Sequence, residues 1–186
     1  MSIRDEINAR AGENPPRLHR LKRSLESDPE SRTMFLSEEL HSLLEGPWAS
    51  RELTLRAGRL RADLEEFIKG AELAACLEPF QAKTAYIGRL APPEDGFWDI
   101  RSRDPSPAIR VVGGFAETDV FIALRWAPRS KGIAGVTKTP LGPRDSREWR
   151  DMIVQCGADW RTLFHTYPRV TGDNLNAHVS ASIHAV

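Results

Sequence analysis

The side chains with the clearest capacity for chemistry are five arginines on or beside the most strand-like segments: Arg101, Arg103, Arg110, Arg125 and Arg129. A guanidinium stays charged at any working pH and presents a planar fork of donors, so a group of them suits the oxygens of a phosphodiester backbone. Arginine also stabilises the charge that develops when RNA is cleaved by its own 2′-hydroxyl. Residues two apart on a strand share a face, so Arg101 and Arg103 project together if their strand runs on through Ser102. A plainer role is equally open to all five. They would then form the polar face of a half-exposed sheet, paired with Asp99, Asp104, Glu117 and Asp119.

Other chemistries find little purchase. There is no GxGxxG, no Walker loop and no GxSxG, which leaves nucleotide-binding and serine-hydrolase signatures without support. Cys76 and Cys156 lie among apolar residues with no CxxC or Cys/His spacing, and read as buried thiols. His165, His178 and His184 match no ligand spacing and read as exposed tail residues, so neither a metal nor a cofactor is expected. The acidic pairs Glu38-Glu39, Glu65-Glu66 and Glu94-Asp95 are adjacent in sequence and do not face one another, which makes them poor acid/base dyads. Tyr86, Lys83 and His165 are the remaining acid or base candidates, and no motif places them.

The elements that must position the arginines follow from periodicity. Leu53, Ala57, Leu60, Leu64, Phe67 and Ile68 recur at helical steps from a start near Ser50 to a stop at Gly70. Four β-rich runs follow, at 84–90, 97–101, 108–112 and 119–126, with links short enough for an antiparallel meander. One face of that sheet must pack on the helix at 50–69, because an apolar sheet face has to be buried. Residues 127–144, rich in glycine and proline, read as a long basic loop. A second helix starts at an Asp145 cap and carries Trp149, Met152, Ile153, Cys156, Trp160, Leu163 and Phe164 as one stripe, which reads as core.

The expected architecture is therefore α+β, a small antiparallel sheet packed against helices, with an N-terminal helical arm and a long C-terminal helix. Thin apolar faces and frequent turn formers mark residues 1–46 as a peripheral helical arm; 47–167 form the core domain and 168–186 a polar tail.

Composition excludes more than it assigns. The chain has 186 residues, 40% hydrophobic and 28% charged, which is ordinary for a folded domain and excludes wholesale disorder, collagen or coiled coil. Its zero net charge argues against a surface that is basic throughout. The charge is uneven, however: residues 125–150 hold seven Lys or Arg against two acids. No apolar run approaches a membrane span and the first residues lack a signal-peptide pattern, so a cytoplasmic protein without a membrane partner is expected.

Read in order, Gly96-Phe97-Trp98-Asp99-Ile100-Arg101, then Ala108-Ile109-Arg110-Val111, then Asp119-Val120-Phe121-Ile122-Ala123-Leu124 and a basic stretch resemble the RelE/ParE toxin superfamily, most closely its phage-derived, HigB-like branch. There, a strand reading G-[LW]-W-E-[LI]-R precedes one reading x-[YI]-R-[VI], and a third apolar strand leads into a basic segment. The resemblance covers about residues 50–131. It implies a RelE-like fold and cleavage of messenger RNA on the ribosome, with RNA or the ribosome and an antitoxin as partners. Carried onto this sequence, it makes Arg101 and Arg110 the catalytic positions and puts Arg125, Arg129 and Lys131 in the general position of the basic segment that binds nucleic acid; Arg103, on the strand face of Arg101, is read as nucleic-acid-binding with them. The competing reading is a non-catalytic protein-binding module of phage or mobile-element origin that keeps the fold.

Overall fold

The computed structural model describes residues 2–79, 84–143 and 145–186. Among these, eight strands join in one sheet: β1 (Leu18–Arg20), β2 (Thr33–Ser37), β3 (Leu73–Cys76), β4 (Ile87–Arg89), β5 (Phe97–Ser102), β6 (Ile109–Glu117), β7 (Val120–Pro128) and β8 (Ile183–Ala185). The α-helices are α1 (Ile3–Gly12), α2 (Glu38–Glu45), α3 (Arg51–Lys69), α4 (Arg147–Phe164) and α5 (Leu175–His178). The class is α+β. Strand order across the sheet is β1-β2-β7-β6-β5-β4-β3-β8.

β4 to β7 form the expected antiparallel meander, in which Arg101 of β5 stands directly opposite Arg110 of β6. The flanking strands enlarge it. β2 pairs parallel with β7, and β3 pairs parallel with both β4 and β8, so the expected small antiparallel sheet is in fact a wide, mixed one. These added strands are three to five residues long, too short to show alternation, and two of the three parallel pairings, β2 with β7 and β3 with β8, join segments far apart in sequence.

Both faces of the sheet are covered. Trp98, Ile100, Ile109, Val111, Phe121 and Ala123 face Leu53, Leu60, Leu64 and Phe67 of α3 and Leu40 of α2, as the helix periodicity requires. The alternate residues Phe97, Val112, Ile122 and Leu124 face Trp149, Met152, Cys156 and Trp160 of α4, with Ile7 of α1. Burial on both sides explains why β7 reads as an apolar run rather than an alternating one.

Helix ends follow local chemistry. The Ser50 hydroxyl accepts from Leu53 N at 3.1 Å at the start of α3, and Gly70, at φ 84, ends it. In α4 the cap is Ser146, whose hydroxyl accepts from Trp149 N at 3.5 Å; the expected cap, Asp145, is one residue outside. This helix has 18 residues, is shorter than α3, and is followed by α5 and β8, so it is not the long terminal helix expected.

Residues 1–46, expected as a peripheral arm, instead supply α1, β1, β2 and α2, and bury Ile7, Leu18, Leu21 and Met34. The polar tail likewise carries α5 and β8 and buries His178 and Val179, while the 127–144 segment buries Ile133 and Leu141. Residues such as Ile7, Leu18, Ile133, Leu141 and Val179 are buried singly, which leaves no periodic trace. Gly113 and Gly114, just beyond the run read as a strand at 108–112, lie inside β6. A Cβ on Gly113 would collide with the Ile122 carbonyl across a β-bulge. Among the described residues, no helix is long and apolar enough to cross a membrane.

Candidate anion-binding site

Asp99, Arg101 and Arg103 occupy every second position from β5 onward, on the same face as Phe97, and Arg110 reaches them from β6. Asp99 is the centre. Only 3% of it is exposed, its carboxylate lies 3.2 Å from Arg101 Nε and 3.4 Å from Arg110 Nε, and Gly88 of β4 sits beside it. A Cβ on Gly88 would come 2.8 Å from Asp99 Oδ1 and 2.9 Å from Arg101 Cζ, so this register position has room for the ion pair because no side chain stands there.

Two further guanidiniums join from the adjoining loops. Arg103 donates to the Ala85 carbonyl, and Arg129, just past β7, donates to the Gly142 carbonyl with its guanidinium 5.9 Å from the Trp149 ring. Burial lowers Arg103. It also lowers Arg110 to about 10, with Asp99 opposing the fall and Arg101, Arg129 and Arg103 adding to it. Asp99 in turn is raised, because burial outweighs the arginines around it. Both members of the Asp99–Arg110 pair are thus poorly solvated for the charge they carry. Arg110 Nε and Nη1 are buried and make no hydrogen bond; the contact to Asp99 is an ion pair without hydrogen-bond geometry.

The structure therefore brings together four of the six sequence-derived site residues, Arg101, Arg103, Arg110 and Arg129. It separates the other two. Arg125 is engaged by Asp159 of α4, at 2.6 and 3.1 Å, and by Glu39 at 3.9 Å, and Lys131 is exposed beyond the end of β7. Of the acid and base candidates, Tyr86 and His165 do not join the cluster. Tyr86 donates its hydroxyl to the Asp63 carbonyl at 2.6 Å and burial raises its phenol, His165 is exposed at the end of α4, and Lys83 lies outside the described residues.

Sequence reasoning missed the buried framework that holds β5 in place. Arg56 of α3, fully buried, donates to the Asp104 and Ser102 carbonyls at 2.7 and 3.2 Å and to Ser102 Oγ at 3.0 Å, and that hydroxyl donates to Asp63 Oδ2 at 2.6 Å. An arginine next to the Ala57 stripe was the only available signal. What the arrangement can do chemically is hold an anion: several fixed cations, one internal counter-charge and donors without acceptors. No protein-family model, curated protein or solved structure compared with this chain matches it.

Proposed function

We propose that this chain is a RelE-like, toxin-related protein that holds RNA phosphates at the cluster of Arg101, Arg103, Arg110 and Arg129, and that it binds the strand rather than cutting it. The observation behind this reading is Arg110, a buried cation with two donor atoms lacking an acceptor. Leaving such donors unmet costs about 1–3 kcal/mol, which favours a side-chain shift that brings a phosphate oxygen to them. Binding is preferred over cleavage because Tyr86 and His165 stand away from the arginines.

The direct test is fluorescence anisotropy with a short single-stranded RNA across a salt series. The expected result is binding whose logarithm falls linearly with the logarithm of salt, with a shallower slope by about one for Arg103→Ala and for Arg110→Ala. Absence of binding to RNA and to ribosomes at low salt overturns the proposal in favour of the protein-binding module.

A second reading rests on the register of Arg101 opposite Arg110, which sets two guanidiniums where one phosphate could meet both. Under it the protein is a ribosome-dependent mRNA endoribonuclease restrained by an antitoxin. Cleavage of ribosome-bound message, lost in Arg101→Ala with the fold intact, would establish that reading; growth unaffected by unpartnered expression would count against it.

A further inference from the structure

A different part of the fold carries three metal-ligand side chains on two elements. His19 lies in the middle of β1, while Glu38 and His41 lie one turn apart on α2, so they project on the same side of that helix. Their ligand atoms all lie within 4.8 Å of one another, and this is the one such group of three among the described residues. His19 Nε2 is 2.6 Å from Glu38 Oε2, and the two imidazoles stack with centroids 3.8 Å apart and planes 11° from parallel.

The surroundings are those of a supported site rather than of three free surface residues. The second carboxylate oxygen of Glu38 accepts from Ser42 Oγ at 3.0 Å, which fixes the carboxylate's orientation. His19 and His41 are both partly buried. β1 and α2 are themselves held together, since Ser37, the cap of α2, ends β2 and pairs with Leu18 of β1.

We propose that His19, Glu38 and His41 form a binding site for a divalent transition-metal ion of the zinc, cobalt or nickel type. Two imidazoles and one carboxylate are the donor set that such ions favour, and calcium or magnesium would require more oxygen ligands than the three residues supply. Bonds of about 2.0–2.1 Å at tetrahedral angles put donor atoms roughly 3.3 Å apart. To reach that, the His19–Glu38 pair opens by less than about 1 Å and the other donor atoms, now within 4.8 Å of one another, close up, with one imidazole turning out of the stack because the lone pairs lie in the ring planes and those of parallel rings do not meet at one point. Three protein ligands leave a fourth position for a further ligand. Glu38 also lines a groove of about 600 Å³ bordered by Pro15, Pro16, Ser37 and Leu124, so a metal held here would sit at the edge of that groove.

The experiment uses the full chain, stripped with a chelator, and titrates zinc by calorimetry and cobalt by its visible absorption. The expected result is one ion per chain, with the intense visible bands of tetrahedral cobalt and a thermal midpoint that rises with added zinc. His19→Ala and His41→Ala should each weaken binding by more than about 100-fold, because even residues that only orient a ligand are worth about 10- to 100-fold, and Ser42→Ala should fall within that smaller range. His184→Ala, a histidine remote from the group, serves as a control that should bind as wild type. No binding by the intact chain, or binding that survives both His19→Ala and His41→Ala, overturns the proposal. Urea unfolding of each variant separates loss of the site from loss of the fold.

Discussion

At the scale of single residues, the arrangement around Asp99 depends on a missing side chain. Gly88→Ala places a Cβ against Arg101 and Asp99, where the far end of the arginine can yield but the buried carboxylate cannot. We expect a loss of about 1–3 kcal/mol in urea unfolding, with Arg101 displaced and RNA affinity reduced; a variant of unchanged stability and affinity would contradict this. His178 supplies a pH dependence. Burial against Trp98 and Phe115 holds its pKa below the ordinary 6.5. The unfolded chain therefore takes up the proton first as pH falls below about 6.5, so the stabilisation is complete above that point and is lost on acidification. His41, also lowered by burial, acts in the same direction. Urea midpoints should drop between about pH 7.5 and about pH 5, and part of that drop should vanish in His178→Gln. Residue types and spacing identified the arginines but not their partners. Asp99 was one of four acids in reach, and only the register of β5 with β6 and the glycine on β4 select it.

At the scale of elements, α3 and α4 were legible because each carries an apolar stripe longer than four turns, and the β4–β7 meander because its strands are consecutive. The outer strands were not. β1 and β8 have three residues each, and their pairing depends on segments remote in sequence rather than on any pattern of their own. The structure reverses what turn-rich composition implied for the first thirty-two residues. Ile7 and Leu18 fill the α4 side of the sheet, and Arg32, 3% exposed, donates to the carbonyls of Phe67 and Ala71 at the end of α3 and of Ala181 and Ser182 before β8. Deleting residues 2–32 strips these contacts from three elements at once. The truncated chain should be insoluble or unfold at markedly lower urea than the full chain, by chromatography and circular dichroism; a truncated protein of full-length stability would show that the segment is dispensable.

At the scale of the whole molecule, some of the charge along the chain is paired across its two halves inside the fold. Acids of the first half meet bases of the second, as in Glu39 with Lys138 at 2.7 Å and with Arg125 at 3.9 Å, and the reverse occurs in Arg32 with Asp119 at 4.0 Å. The strand order has a mechanical consequence. β1 and β8 stand at opposite edges, seven strand spacings apart, or roughly 34 Å across the sheet at about 4.8 Å per spacing. A load applied between these edges acts across the strands, so hydrogen bonds open a few at a time from a three-residue ladder at each side. A load along the parallel strands β2 and β7, taken from the start of one and the end of the other, would have to shear their whole ladder at once. In single-molecule pulling, cysteine handles introduced as Arg20→Cys and His184→Cys should therefore give extension in small steps at low force, and handles introduced as Thr33→Cys and Pro128→Cys a single event at higher force. Equal forces in the two geometries would mean that the sheet yields as one unit, whichever direction it is pulled.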